Sequence, residues 1–110
     1  MTRPKVIVRS AAKRDVSNYV RWLRIEADAS VAQRFSAGAI ASFVEIARSP
    51  LLGPAVPTRT PKLDGLRKWR VRGFPKMLIF YLPIEQGVRI VRLVHSAQDW
   101  WALLDKNDQD

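Results

Sequence analysis

The sequence predicts an α+β domain in which a helical hairpin packs on one face of an antiparallel sheet. Three observations predict it: two amphipathic helical patterns fill the first half of the chain, three strand-like segments follow in the second half, and only short gaps divide those strands. Because 110 residues, 47% of them hydrophobic, suffice for one core and are too few for two ordinary domains, we expect a single domain over residues 1–110.

A strand and two helices are predicted for the first half of the chain. Residues 5–9, KVIVR, are a β-branched run typical of a strand. Ser10 is a candidate cap for the first helix, which ends near Ala27, and Asp28 or Ser30 is a candidate cap for the second. Since so short a break divides them, the two helices should fold back on each other as a hairpin.

A long surface connection is predicted between the second helix and the sheet. Residues 50–65, PLLGPAVPTRTPKLDG, contain four of the seven prolines and two of the five glycines, which argues against a helix or a central strand there. Three strands follow, and the gaps between them, GFP and PIEQG, are of hairpin size. The sequence therefore predicts an antiparallel meander of three strands, at residues 66–72, 76–82 and 88–95.

A short helix is predicted to close the domain. It runs from Ala97 to Leu104 with Ser96 as its cap, and residues 105–110 have the composition of a polar tail. The helical hairpin can cover only one face of the sheet, so the other face is left for solvent, this terminal helix or a partner.

The composition excludes several kinds of site. The chain has no cysteine and one histidine, and its ten acidic residues are scattered, so disulfides and the common metal sites are excluded and no cofactor is expected. Only three consecutive apolar residues precede Arg9, too few for a signal peptide or a membrane span. We therefore expect a cytoplasmic protein with no membrane partner.

The positive charge is concentrated in the second half of the chain. The net charge is +9 and the pI is near 10.9, and residues 62–92 hold eight Lys or Arg residues against Asp64 and Glu85 alone. Such a surface attracts anions, whether nucleic acid, acidic lipid or acidic protein segments. Charge by itself does not choose among these partners.

The first strand of the meander carries a row of cations. Because side chains alternate between the faces of a strand, Lys68, Arg70 and Arg72 should share one face, which must be open or covered by a partner. Arg92 is a lone cation on an otherwise apolar face of the third meander strand, among Val88, Ile90 and Val94, and could join this patch. The patch would suit phosphate or carboxylate oxygens. Alternatively, the cations belong to a solvated strand face and discourage edge-to-edge aggregation.

Three further side chains are candidates near the end of the sheet. His95 ends a strand, where it could act as a general base in RNA cleavage, or could simply cap or pack. If the protein is a nuclease, Arg72, Arg92 and His95 would bind phosphate and transfer the proton. Trp100 and Trp101 could stack on bases, or anchor the terminal helix to the sheet.

The succession of short motifs along nearly the whole chain resembles the RelE/ParE superfamily of bacterial toxins from type II toxin–antitoxin systems. An A-x-x-D-hydrophobic pattern, an S-P-x-x-G segment, a G-L-R turn, an I-F-Y strand and a V-x-H ending occur in that order. The residues that match are Ala12, Asp15, Val16, Ser49, Pro50, Gly53, Gly65, Leu66, Arg67, Ile79, Phe80, Tyr81 and Val94 to Asp99.

The resemblance implies a toxin that a cognate antitoxin neutralises in a hetero-oligomeric complex. RelE-type members cut messenger RNA in the ribosome, whereas ParE-type members inhibit DNA gyrase. The terminal helix of this chain has no tyrosine, and its long loop offers only Lys62 before the basic strand, so the ParE branch is favoured. The residues expected to contact the antitoxin or the target are Lys68, Arg70, Arg72, Arg92, Trp100 and Trp101.

Three functions remain open on the sequence. The first is inhibition of DNA gyrase, and the second is ribosome-dependent cleavage of messenger RNA. The third is a non-toxic module that binds nucleic acid, which the charge alone motivates.

Overall fold

The computed structural model describes residues 3–106, and its architecture confirms the predicted α+β class. Four strands form one sheet in the order β1-β4-β3-β2, in which β2, β3 and β4 are the predicted antiparallel meander and β1 runs parallel to β4. The elements are β1 (Lys5–Val8), α1 (Ser10–Glu26), α2 (Ala29–Arg48), β2 (Arg67–Val71), β3 (Phe74–Ile84), β4 (Gly87–His95) and α3 (Trp100–Lys106), with one 3-10 turn at Pro61–Leu63.

Helices pack on both faces of the sheet, fully on one and partly on the other, and a hydrophobic cluster lies on each face. The α1–α2 hairpin packs on one face around buried side chains that include Phe35, Ile46 and Tyr81. On the other face, α3 places Leu104 over Phe80 and its neighbours. The sequence left this second face for solvent, the terminal helix or a partner, and the structure shows that the terminal helix covers part of it.

The helix starts differ from the predictions at two of three places. Ser10 is the first residue of α1 and Arg9 precedes it as the cap, without a capping side-chain hydrogen bond. Asp28 caps α2 as predicted, because its Oδ1 accepts the Val31 N–H at 2.9 Å. The predicted terminal helix is confirmed, but its predicted start at Ala97 with Ser96 as cap is wrong: residues 96–98 form a turn and a bend, and α3 begins at Trp100.

Removal of the α2 cap should weaken the fold measurably. Asp28→Ala leaves the first-turn N–H of Val31 without its acceptor, and we expect the free energy of unfolding to fall by about 1 kcal/mol. Denaturant titration measures this difference. Asp64→Ala, at an exposed position in the loop, is the matched control and should change stability by less than about 0.5 kcal/mol.

Strand β3 is longer than predicted, because both of its prolines lie where it has a neighbour on one side only. Pairing with β2 ends at Tyr81, so Pro83 faces β4 alone, and pairing with β4 begins at Met77, so Pro75 lies beyond it. A proline lacks the N–H for a second ladder, and these positions do not require one. The strand therefore spans Phe74–Ile84 where residues 76–82 were expected.

Within residues 3–106, no helix has the length and apolar character that crossing a bilayer would need. Among the side chains that the structure describes, those of residues 3–104, no group of three or more His, Asp or Glu is placed to hold a metal ion. The residues of the predicted polar tail divide between the end of α3, at 105 and 106, and positions outside the described residues.

Candidate binding surface

Lys68 and Arg70 lie on the face of the sheet that α3 covers in part. In the β2–β3 register Lys68 lies opposite Phe80, and Arg70 lies opposite Leu78. The Lys68 Nζ is 5.5 Å from the centre of the Trp100 ring, and the Arg70 guanidinium carbon is 5.0 Å from that of Trp69. No ion pair joins either cation to a carboxylate whose side chain is described.

Arg72 does not share that face, so the predicted row of three cations is wrong at its third member. Strand β2 ends at Val71, which packs in the hairpin-side core together with Trp69, and Arg72 is the first residue of the turn to β3, where alternation between faces no longer applies. Arg72 lies beside α2, with its Nη2 3.8 Å from Glu45 Oε2. Its N–H donates to Ser42 Oγ at 2.8 Å.

Arg92 is buried and paired, so the expectation of a free cation there is wrong. Its Nε donates to Asp15 Oδ2 at 2.7 Å, and its Nη2 donates to Asp15 Oδ1 at 2.9 Å. Its Nη1 also donates to the Leu103 carbonyl at 3.2 Å. Asp15 accepts the Leu93 N–H as well, at 2.9 Å. This pair therefore connects α1, β4 and α3. Of the predicted patch, only Lys68 and Arg70 remain on the sheet without an ion pair to a described carboxylate.

His95 is held in the turn before α3. Its Nδ1 accepts the Ala97 N–H at 3.1 Å, and its own N–H donates to Gln98 Oε1 at 2.9 Å. It lines a cleft of about 320 Å³ together with the neutralised Arg92 and residues of α1, whereas Arg72 is not part of this lining. The structure therefore does not bring Arg72, Arg92 and His95 together around one open site.

The two tryptophans of α3 have different surroundings. Trp100 packs on Phe80, with ring centres 5.1 Å apart, and so anchors α3 to the sheet. Trp101 stacks on Trp100 at 4.4 Å and is 40% exposed. It lines a groove of about 500 Å³ with the loop residues Pro57, Thr58 and Arg59. Sequence reasoning missed Arg59, because nothing in a proline-rich loop indicates that it lies against the terminal helix.

Several motif residues meet at one buried hydroxyl. Tyr81 Oη accepts the Gly53 N–H at 2.9 Å and donates to the Pro50 carbonyl at 2.9 Å. Burial raises the pKa of Tyr81, although the Gly53 hydrogen bond and the nearby Arg67 oppose that rise. Arg67 Nη1 donates to the Gly53 carbonyl at 2.6 Å. The S-P-x-x-G, G-L-R and I-F-Y motifs are thus parts of one contact that fixes the loop to the sheet.

The residues of these motifs therefore hold the chain together, and the same residues fall within a match to a known protein family. The family model described as "ParE toxin of type II toxin-antitoxin system, parDE" matches residues 6–100. The chain belongs to the ParE toxin family. In this ParE-family chain, the matched region runs from β1 to the first residue of α3 and includes every motif residue named above.

A solved structure supports the same fold. The structure titled "Chromosomal ParDE TA system from P. aeruginosa" is similar to this ParE-family chain with a TM-score of 0.67, covering 84% of this chain and 96% of the other. Sequence identity is 11%, so the likeness concerns the fold. A comparison with curated protein sequences gave no match.

Proposed function

We propose that this chain is the toxin of a type II toxin–antitoxin pair, that it inhibits DNA gyrase in the cytoplasm, and that a cognate antitoxin neutralises it. The observation that carries the proposal is the ParE family match over residues 6–100. The ParE branch is favoured over the nuclease branch because the matching family model is that of the ParE toxins, and because Arg92 is engaged by Asp15. Arg92 could not bind phosphate without leaving Asp15, whereas His95 is held through Nδ1 and keeps Nε2 for proton transfer, so Arg92 is the residue whose geometry disfavours a nuclease.

The surface of the chain supports a protein partner. Large apolar side chains are exposed on both helices and on the loop after α2: Trp22, Ile25, Ile40 and Leu51. Burial of such side chains gives affinity, and the free cations Lys68 and Arg70 would attract an acidic segment of the antitoxin and speed the encounter. We expect the toxin and its antitoxin to form a hetero-oligomer on this basis.

Gyrase inhibition is tested directly with the purified chain. We expect it to abolish DNA supercoiling by gyrase, and we expect activity to return when the product of the neighbouring reading frame is added. In cells, induction of the toxin alone should cause growth arrest with filamentation. Supercoiling that continues at a large molar excess of the chain would rule out gyrase as the target.

Cleavage of messenger RNA is the second candidate function, and the same cells test it. It would depend on Arg72, Arg92 and His95, of which Arg92 holds the fold together. The informative variant is therefore Arg72→Ala/His95→Ala. If toxicity survives this double substitution, the nuclease function is ruled out, because two of its three groups are absent. If a folded double variant loses toxicity, cleavage of messenger RNA is favoured over gyrase inhibition.

A further inference from the structure

The groove beside α3 combines an aromatic ring with positive charge. Trp101 and Arg59 line it from opposite elements, the terminal helix and the proline-rich loop. Lys68 is not part of the groove lining, but its Nζ is 5.5 Å from the centre of the Trp100 ring, and Trp100 is in contact with Trp101. We call the residues Arg59, Lys68, Arg70 and Trp101 the α3-side surface.

The exposed ring is held in place before any ligand arrives. Trp101 packs on Trp100 with ring centres 4.4 Å apart and planes tilted by 33°, and Trp100 packs on the buried Phe80 at 5.1 Å. An aromatic side chain that is already fixed loses little conformational entropy when a ligand stacks on it. Trp101 nevertheless keeps 40% of its surface exposed. This surface can accept a flat ring.

Two cations of the α3-side surface come from the edge strand β2. Lys68 and Arg70 are two residues apart, so their side chains leave the strand about 6.6 Å apart, and the Arg70 guanidinium then lies over Trp69, 5.0 Å from the centre of its ring. Among the side chains that the structure describes, no carboxylate forms an ion pair with Lys68, Arg70 or Arg59. Their charge is therefore available to successive anionic groups of one extended chain.

We propose that the α3-side surface binds a single-stranded polynucleotide. A base stacks on Trp101, and Lys68, Arg70 and Arg59 contact the phosphates. Stacking platforms beside rows of cations are the general means of binding unpaired strands, because every base has a flat face. In a duplex the bases are already stacked on each other, so Trp101 favours the single strand. The proposal goes beyond gyrase inhibition and does not require it; an acidic antitoxin segment would compete for the same cations.

Binding is measured by fluorescence anisotropy with labelled oligothymidine and oligouridine. The competitors are a duplex of the same length, inorganic polyphosphate, which has the charge without the bases, and polyglutamate, which imitates an acidic protein segment. We expect both single strands, or one of them, to bind more tightly than every competitor. A preference between the two strands identifies DNA or RNA as the source.

Variants separate stacking from charge. Trp101→Ala should weaken binding at least about fivefold, whereas Trp22→Ala, which removes a similarly exposed tryptophan of α1, should have no effect. Lys68→Gln/Arg70→Gln should lower the slope of log affinity against log salt by about 1.4. The control Arg21→Gln/Arg24→Gln removes the same charge from exposed positions on α1 and should leave this slope nearly unchanged.

Three results would overturn the proposal. The first is polyphosphate or duplex binding as tight as that of the single strands, and the second is tighter binding of polyglutamate. The third is equal affinity of the Trp101→Ala and Trp22→Ala variants. Because Trp101→Ala could loosen α3, Trp101→Phe, which keeps a stacking face, is measured beside it. The Trp101→Phe variant should bind the single strand better than Trp101→Ala does. An equal loss of affinity in both variants would also overturn the proposal.

Discussion

Asp15→Leu should lower the free energy of unfolding by about 3–5 kcal/mol, because it leaves the buried Arg92 guanidinium without its counter-charge. The Asp15 and Arg92 side chains are only 14% and 11% exposed, so water from the adjoining cleft replaces the lost partner only in part. The substitution also removes the acceptor of the Leu93 N–H. Denaturant titration monitored by circular dichroism gives the difference in unfolding free energy.

Two comparisons show whether the cost comes from the buried charge. Asp15→Leu/Arg92→Leu removes both charges, and we expect it to recover about 2 kcal/mol of the single-variant loss, although the Leu93 N–H and the Leu103 carbonyl remain without these partners. The exposed pair Arg72–Glu45 is the matched control, and Arg72→Leu should cost no more than about 1 kcal/mol. Equal losses at the two pairs would contradict this account.

The Asp15–Arg92 pair also explains a limit of sequence reasoning. The strand pattern identified Arg92 as a lone cation on an otherwise apolar strand face, and the patch that it was expected to join is not open at this position, because Arg92 is paired with Asp15. Its partner is 77 positions earlier in the chain, on a helix whose own pattern shows only that Asp15 lies off the apolar stripe. One sequence contains no observation that pairs the two.

Local patterns predicted the elements well, because each pattern depends on neighbours in the chain. The α1–α2 hairpin, the Asp28 cap and the meander all follow from periodicity, capping and gap length. The position of Arg72 depends instead on where β2 ends: the strand stops at Val71, one residue before the predicted end, so alternation does not extend to Arg72. The groove at Arg59 and Trp101 joins a loop to a helix some forty residues later, and only the fold reveals it.

The family motifs serve mainly to hold the chain together. The aspartate of the A-x-x-D pattern binds Arg92, and the histidine of the V-x-H ending shapes the turn before α3. Tyr81 of the I-F-Y strand connects to Pro50 and Gly53 of the S-P-x-x-G segment. Motifs that fix a scaffold identify the family without identifying its target, and for this reason the target remains a proposal that rests on experiments with gyrase.

Gly53→Ala should be among the most destabilising single substitutions in the loop, with a loss of about 3 kcal/mol in the free energy of unfolding. A Cβ at this position would overlap the backbone carbonyl oxygen of Lys68 and lie 2.9 Å from Tyr81 Oη. Because the nearest obstacle is backbone in β2, relief requires the loop to move away from the sheet. That movement would break the hydrogen bond from the Gly53 N–H to Tyr81.

Two further variants separate the steric effect from the lost hydrogen bond. Tyr81→Phe keeps the loop free of overlap but leaves Gly53 N–H and the Pro50 carbonyl without their partner, at a cost of about 1–3 kcal/mol. Leu51→Ala, at a 70% exposed neighbour, should change stability by less than about 0.5 kcal/mol. If Gly53→Ala proves as mild as Leu51→Ala, the loop is not held against β2. In that case the contact that unites three family motifs is not what stabilises this region, and the groove at Arg59, which the same loop forms, loses its rigid support.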